Sequence, residues 1–149
     1  MTDTVVPAAR PLVVLGMGSD QGDDRAGIAL VEAIAASDPA GVTAIAGGVA
    51  PENYTGPIRR ADPAAVLVVD AVEWEAAPGA IDRFAVADLR AGSISTHSAP
   101  PTMLVDFLEQ TTDAGVTLVG IQPDRLDGDH LSVPVARAVA NLVRDITGE

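Results

Sequence analysis

The chain has 149 residues, 48% hydrophobic and 20% charged, which suits a single globular domain over residues 1–149, with 1–10 as a loose N-terminal extension. Its 21 acidic and nine basic side chains leave a formal net charge of -12, which argues against nucleic acid and anionic membranes as partners, because phosphate affinity depends on clustered Lys and Arg. The absence of cysteine excludes disulfides, thiolate metal ligands and a cysteine nucleophile, and with neither a signal-peptide pattern nor an apolar run of about 18 residues the expected location is the cytoplasm.

Leu12 to Leu15 is a short apolar run that closes on Gly16, Gly18 and Gly22, and the spacing of Ile28, Val31 and Ala35 predicts a helix directly after it. The segment therefore reads as strand, glycine-rich loop, helix. A second run rich in β-branched residues, Val42 to Ala46, ends at Gly47 and Gly48, and a third, Ala65 to Val69, stops at Asp70. Ala80 to Phe84 alternates apolar and charged residues, the pattern of a half-exposed edge strand. Pro100 and Pro101 open a helix with a predicted inner face of Leu104, Phe107 and Leu108, and Val116 to Ile121 supplies one more strand. The last helix has the clearest period, at Val135, Val139, Leu142, Val143 and Ile146. No internal repeat or low-complexity segment interrupts this order.

Buried strands alternating with amphipathic helices predict an α/β fold, with a mostly parallel sheet covered on both faces. Such sheets bind ligands beyond the carboxyl ends of their strands. Asp23 and Asp24 after the first strand, Asp70 after the third, and His97 before the Pro100 helix all fall at that edge. Two carboxylates and an imidazole with open coordination positions suit a borderline divalent ion such as nickel or zinc, the open positions being left for ligands of the substrate.

Each residue also has a plain structural reading. Either Asp23 or Asp24 is expected to cap the following helix. Asp70 can begin a turn, although a carboxylate beside a buried strand carries a desolvation cost. His97 can be a hydrogen-bonded loop residue, with Ser98 as the helix cap. His130, in the polar turn Asp127-Gly128-Asp129-His130, reads as solvated and stays outside the site. Trp74, between Glu73 and Glu75, reads as surface packing. Dinucleotide binding fails on spacing, since Gln21 stands where GxGxxG needs its third glycine and two aspartates would oppose the pyrophosphate.

The run Gly22-Asp23-Asp24-Arg25-Ala26-Gly27 resembles the GDDGxG box of the hydrogenase maturation proteases. Gly47-Gly48-Val49-Ala50-Pro51-Glu52-Asn53, Val69-Asp70-Ala71, Thr96-His97-Ser98-Ala99-Pro100 and Gly120-Ile121-Gln122-Pro123-Asp124 are similar to further segments of that family, in the same order. The likeness runs from about Leu12 to the C-terminal helix and is nearest to the branch serving hydrogenase 3-type, energy-converting complexes. It implies a three-layer α/β/α sandwich with a five-stranded, mostly parallel twisted sheet. It also implies an endopeptidase that removes the C-terminal extension of a [NiFe]-hydrogenase large-subunit precursor after nickel insertion.

By the same resemblance the metal-binding and catalytic positions map onto Asp24, Asp70 and His97, and the nickel is carried by the substrate. Two carboxylates and one imidazole are expected to hold it only loosely in the free enzyme, which is expected to be a monomer. Whether the ion polarises the scissile carbonyl or activates water, or an Asp acts as base, stays open at this point. Three positions depart from the family pattern: Arg25 replaces a glycine and sets a cation beside the ligands, Ala46 replaces an acid, and Gly18-Ser19 stands where relatives have Gly-Asn. Two other classes of function compete. One is a non-catalytic metal-binding or assembly module for the precursor; the other is a metal-independent serine hydrolase built on Ser19, His97 and Asp70, which lacks a GxSxG elbow.

Overall fold

The computed structural model describes residues 5–96 and 101–148. Strand β1 (Leu12–Met17) leads through a 3-10 turn (Gly22–Arg25) into helix α1 (Ala26–Ser37). There follow β2 (Val42–Gly48), a second 3-10 turn (Pro51–Tyr54), α2 (Thr55–Arg60), β3 (Ala65–Glu73), β4 (Ile81–Phe84), α3 (Val86–Ala91), β5 (Ser95–Thr96), α4 (Thr102–Thr111), β6 (Gly115–Ile121) and α5 (Val133–Thr147). The sheet runs in the order β2-β1-β3-β6-β4, with β5 added beside β3. Pairings among β2, β1, β3 and β6 are parallel, whereas the edge strand β4 is antiparallel to β6. To the five expected strands the fold adds the two-residue β5, which places Thr96 opposite Val72 and Ser95 opposite Glu73.

Strand alternation divides the core in two. Leu12 and Val14 of β1, with Leu67 and Val69 of β3, pack against α1 and α5. Val13, Leu15 and Met17, with Val66 and Val68, face Ile58 of α2 and Leu104 and Leu108 of α4. Every residue of β1 is buried, because both faces of a central parallel strand are covered by helices. The result is the expected three-layer α/β/α sandwich. No helix among the described residues is long and apolar enough to cross a membrane.

Three readings of the sequence change at this level. Strand β3 does not stop at Asp70 but continues to Glu73, because β6 pairs with it through Ala71 and β5 takes over at Val72. In α1 the buried face is Ala26, Gly27, Leu30, Val31 and Ile34, while Ala35 is exposed; the phase is set by where the first turn must touch the sheet. In α4, Leu104, Val105 and Leu108 face inward and Phe107 is 40% exposed. It lines a shallow groove of about 250 Å³ with Glu52, Thr55, Met103 and Leu104. Of the N-terminal stretch, Val6 is buried against the α1–α5 core, and Arg10 donates to the Ile146 carbonyl.

Asp23 caps no helix. Its carboxylate is fully buried and accepts from the backbone N–H of Asp124 (2.8 Å), Arg125 (3.0 Å) and Ser132 (2.7 Å), and from the Ser132 hydroxyl (2.8 Å). It thereby clamps the loop between β6 and α5 to the start of α1. Burial alone would raise its pKa, but the bonds from Ser132, Arg125 and Asp124 together outweigh that and hold it below the usual carboxylate value. Its stabilising contribution is therefore present above the unfolded-state pKa and lost as pH falls through the folded one. Asp23→Ala strands four donors and should cost about 2–4 kcal/mol in a denaturant titration at neutral pH; an unchanged midpoint would show that the clamp is not structural.

Candidate functional site at the carboxyl edge of the sheet

The first turn of α1 sits unusually close to the strand ends. A Cβ on Gly27 would lie 2.5 Å from the Met17 carbonyl oxygen and 2.6 Å from that of Val69, and one on Gly16 would lie 2.1 Å from the Gly27 oxygen. Only glycine at both positions allows this approach. The preceding 3-10 turn is thereby held against the ends of β1 and β3, and it carries Asp24 inward.

Asp24 and Asp70 are both fully buried. One oxygen of Asp24, Oδ2, accepts from the Ser19 backbone N–H at 3.0 Å and from the Ser19 hydroxyl at 2.7 Å; the other, Oδ1, has no hydrogen-bond partner among the described residues. Asp70 accepts at Oδ1 from the N–H of Ala71 at 2.9 Å, and its Oδ2 likewise has no partner among the described residues. Burial first, and then the charge of the neighbouring Asp24, push the Asp70 pKa up to about 7. Each carboxylate thus has one oxygen satisfied by a residue close in sequence, and the other is bare among the described residues. Buried acceptors without donors are costly, and two beside each other are the donor set that a cation would complete.

The loop that delivers Asp24 is shaped by Gly18, at φ +125°, where a Cβ would come within 1.9 Å of the Asp24 carbonyl oxygen. Its N–H donates to the Gly48 carbonyl at 2.9 Å, tying the loop to the end of β2. Arg25 does not set its cation beside the carboxylates; it swings along α1 to pair with Glu32. Ala46 is an exposed position of β2, opposite Gly16. His97 lies outside the described residues, so its side chain has no described position. Among the described residues no group of three His, Asp or Glu side chains converges.

His130 is exposed, and Trp74 packs edge-on against Phe84 of β4 with ring centroids 4.9 Å apart. The Ser19 hydroxyl donates to Asp24 and accepts from the N–H of Gln21. Gln122 is a part that residue-type reasoning passed over. Buried at the end of β6, it accepts from the N–H groups of Trp74 and Ala76 and donates to Glu73 at 2.7 Å. It fixes the chain as it leaves β3. Its place directly after an apolar strand, inside the segment Gly120 to Asp124, was the available signal.

Comparison with known proteins agrees with this architecture. Residues 28–149 match the family model described as hydrogenase maturation protease. The chain is 34% identical over 142 residues to the hydrogenase 3 maturation protease of Escherichia coli K12, covering 91% of this chain and 88% of that one. A crystal structure of a hydrogenase 3 maturation protease superposes with a TM-score of 0.81 at 33% identity, over 95% of this chain and 91% of that one. A [NiFe] hydrogenase maturation protease from Thermococcus kodakarensis shares the fold with a TM-score of 0.85 at 24% identity, over 97% and 94% of the two chains. The family match, the identity over nearly the whole chain and the shared fold show that this protein is a peptidase belonging to the hydrogenase maturation protease family.

Proposed function

We propose that the protein removes the C-terminal extension of a [NiFe]-hydrogenase large-subunit precursor in the cytoplasm after nickel insertion, and that Asp24, Asp70 and His97 read the nickel the precursor carries. The observation that carries this reading is the pair of buried oxygens, Asp24 Oδ1 and Asp70 Oδ2, that have no hydrogen-bond partner among the described residues. A site that waits for a cation is expected to leave acceptors bare. Neither carboxylate has an ion-pair partner among the described residues. His97 directly follows Thr96, which pairs with Val72, two residues along the strand that carries Asp70.

The chemistry follows from charge. Burial first, and then repulsion from the Asp24 carboxylate, favour a proton on Asp70 while no cation is bound. A divalent ion arriving with the substrate displaces that proton and neutralises both groups. A precursor without nickel brings no such charge and gains no such binding, which couples cleavage to metal loading. Once seated, the ion fixes the nearby scissile peptide and polarises its carbonyl, and a carboxylate oxygen not engaged with it takes the proton of the attacking water. With only two carboxylates and one imidazole, the free enzyme holds nickel loosely and acts as a monomer.

Two measurements follow. Asp24→Asn, Asp70→Asn and His97→Ala should each lower processing of a nickel-loaded precursor by at least about 100-fold while the circular dichroism spectrum is kept; undiminished cleavage by all three would remove the proposed reading. The second concerns stability. Because the folded pKa of Asp70 lies near 7 against an ordinary value of 3.8, this group's contribution is greatest below about pH 4 and is lost as pH rises through 7. Asp70→Asn should flatten that slope and make the free protein more stable than wild type at pH 8, on the order of a few kcal/mol. An Asn variant less stable than wild type at pH 8 would contradict the repulsion.

A further inference from the structure

We infer that Ser19 is a positioning residue for Asp24, holding one oxygen of the carboxylate so that the other alone is presented to the substrate. The inference rests on the reading of Asp24 given above and extends it to a residue outside the three proposed ligands. A single residue supplies both donors to Asp24 Oδ2, through its N–H and its hydroxyl. The hydroxyl's direction is itself constrained: its oxygen accepts from the N–H of Gln21 at 3.3 Å, so its one proton is left for the carboxylate.

The terminal torsion of an aspartate is broad, so nothing intrinsic to Asp24 fixes the angle at which its carboxylate plane is held. Water does not decide it either, since the side chain is fully buried. The decision falls to the Ser19 loop, which is held in turn by the Gly18 to Gly48 hydrogen bond and by the close approach of Gly18 to the Asp24 backbone. Removing the hydroxyl leaves only the N–H on Oδ2. The carboxylate can then turn, and its bare oxygen spends less time where the substrate's ion must sit. This role also separates Ser19 from a nucleophile, whose proton would be drawn off by a base rather than lodged on a carboxylate proposed to bind the ion.

The test compares Ser19→Ala, Ser19→Thr and Asp24→Asn on nickel-loaded large-subunit precursor, with initial rates over a range of precursor concentrations and a thermal unfolding curve for each free protein. Ser19→Ala should lower kcat by about 10- to 100-fold, as loss of a hydrogen bond that orients a ligand does, with KM and the unfolding midpoint close to wild type. Ser19→Thr, which keeps a hydroxyl, should return kcat to within a few-fold of wild type. A wild-type kcat in Ser19→Ala beside an inactive Asp24→Asn overturns the positioning role while leaving the proposed site intact. Equal loss in the Ala and Thr variants, or an acyl adduct trapped on Ser19, also overturns it. Full activity in Asp24→Asn removes the reading on which the inference stands.

Discussion

Met17 and Val69 each aim a carbonyl oxygen at the first turn of α1, and the distances of 2.5 and 2.6 Å to the place where Gly27 would carry a Cβ leave no room for any side chain. Everything at the carboxyl edge depends on that seating. It brings the 3-10 turn Gly22–Arg25 against the strand ends and buries two adjacent aspartates in different surroundings. Asp23 faces the loop between β6 and α5 and is saturated with donors. Asp24 keeps one oxygen with no partner among the described residues, and its charge acts on Asp70. Two neighbouring residues of one chemical type thus divide the work, one holding the fold together and the other kept available.

That division explains how a fold of this size tolerates an electrostatically unfavourable centre. Two buried carboxylates with one bare oxygen each destabilise the free protein, and the surrounding structure must hold them there. Central strands buried on both faces, the Asp23 clamp and the Gln122 contacts at the end of β3 supply a rigid frame around the site. The strain is useful if the missing partner is an ion carried by the substrate, because binding then relieves a repulsion that only a loaded substrate can relieve. Regulation of cleavage by metal loading would need no moving part beyond protonation of a carboxylate.

Much of this was legible in the sequence, for reasons that can be named. Run length located β1 and β6, because central parallel strands are largely apolar, while a β-branched run marked β2, edge-strand alternation marked β4 and a broad buried stripe marked α5. The switch from strand to glycine-rich loop pointed to the edge where Asp24 and Asp70 meet. Other features depended on contacts between distant segments. The extension of β3 past Asp70 is set by pairing with β5, a strand too short to leave a period. The face of α1 is set by backbone contact at Gly27, where no side chain contributes to an apolar pattern. The division of roles between Asp23 and Asp24 depends on Ser132 and Ser19, and residue type alone could not separate them. His97 enters the proposed site by resemblance alone, since it lies outside the described residues.

The central claim is that cleavage is gated by the ion in the substrate. The direct measurement is to incubate the purified protein with matched large-subunit precursor prepared with and without inserted nickel, and to weigh the products by intact-mass spectrometry. Loss of a C-terminal peptide from the nickel-loaded precursor only is the expected result. Equal shortening of both forms, or a stable complex in which neither is cut, would contradict it.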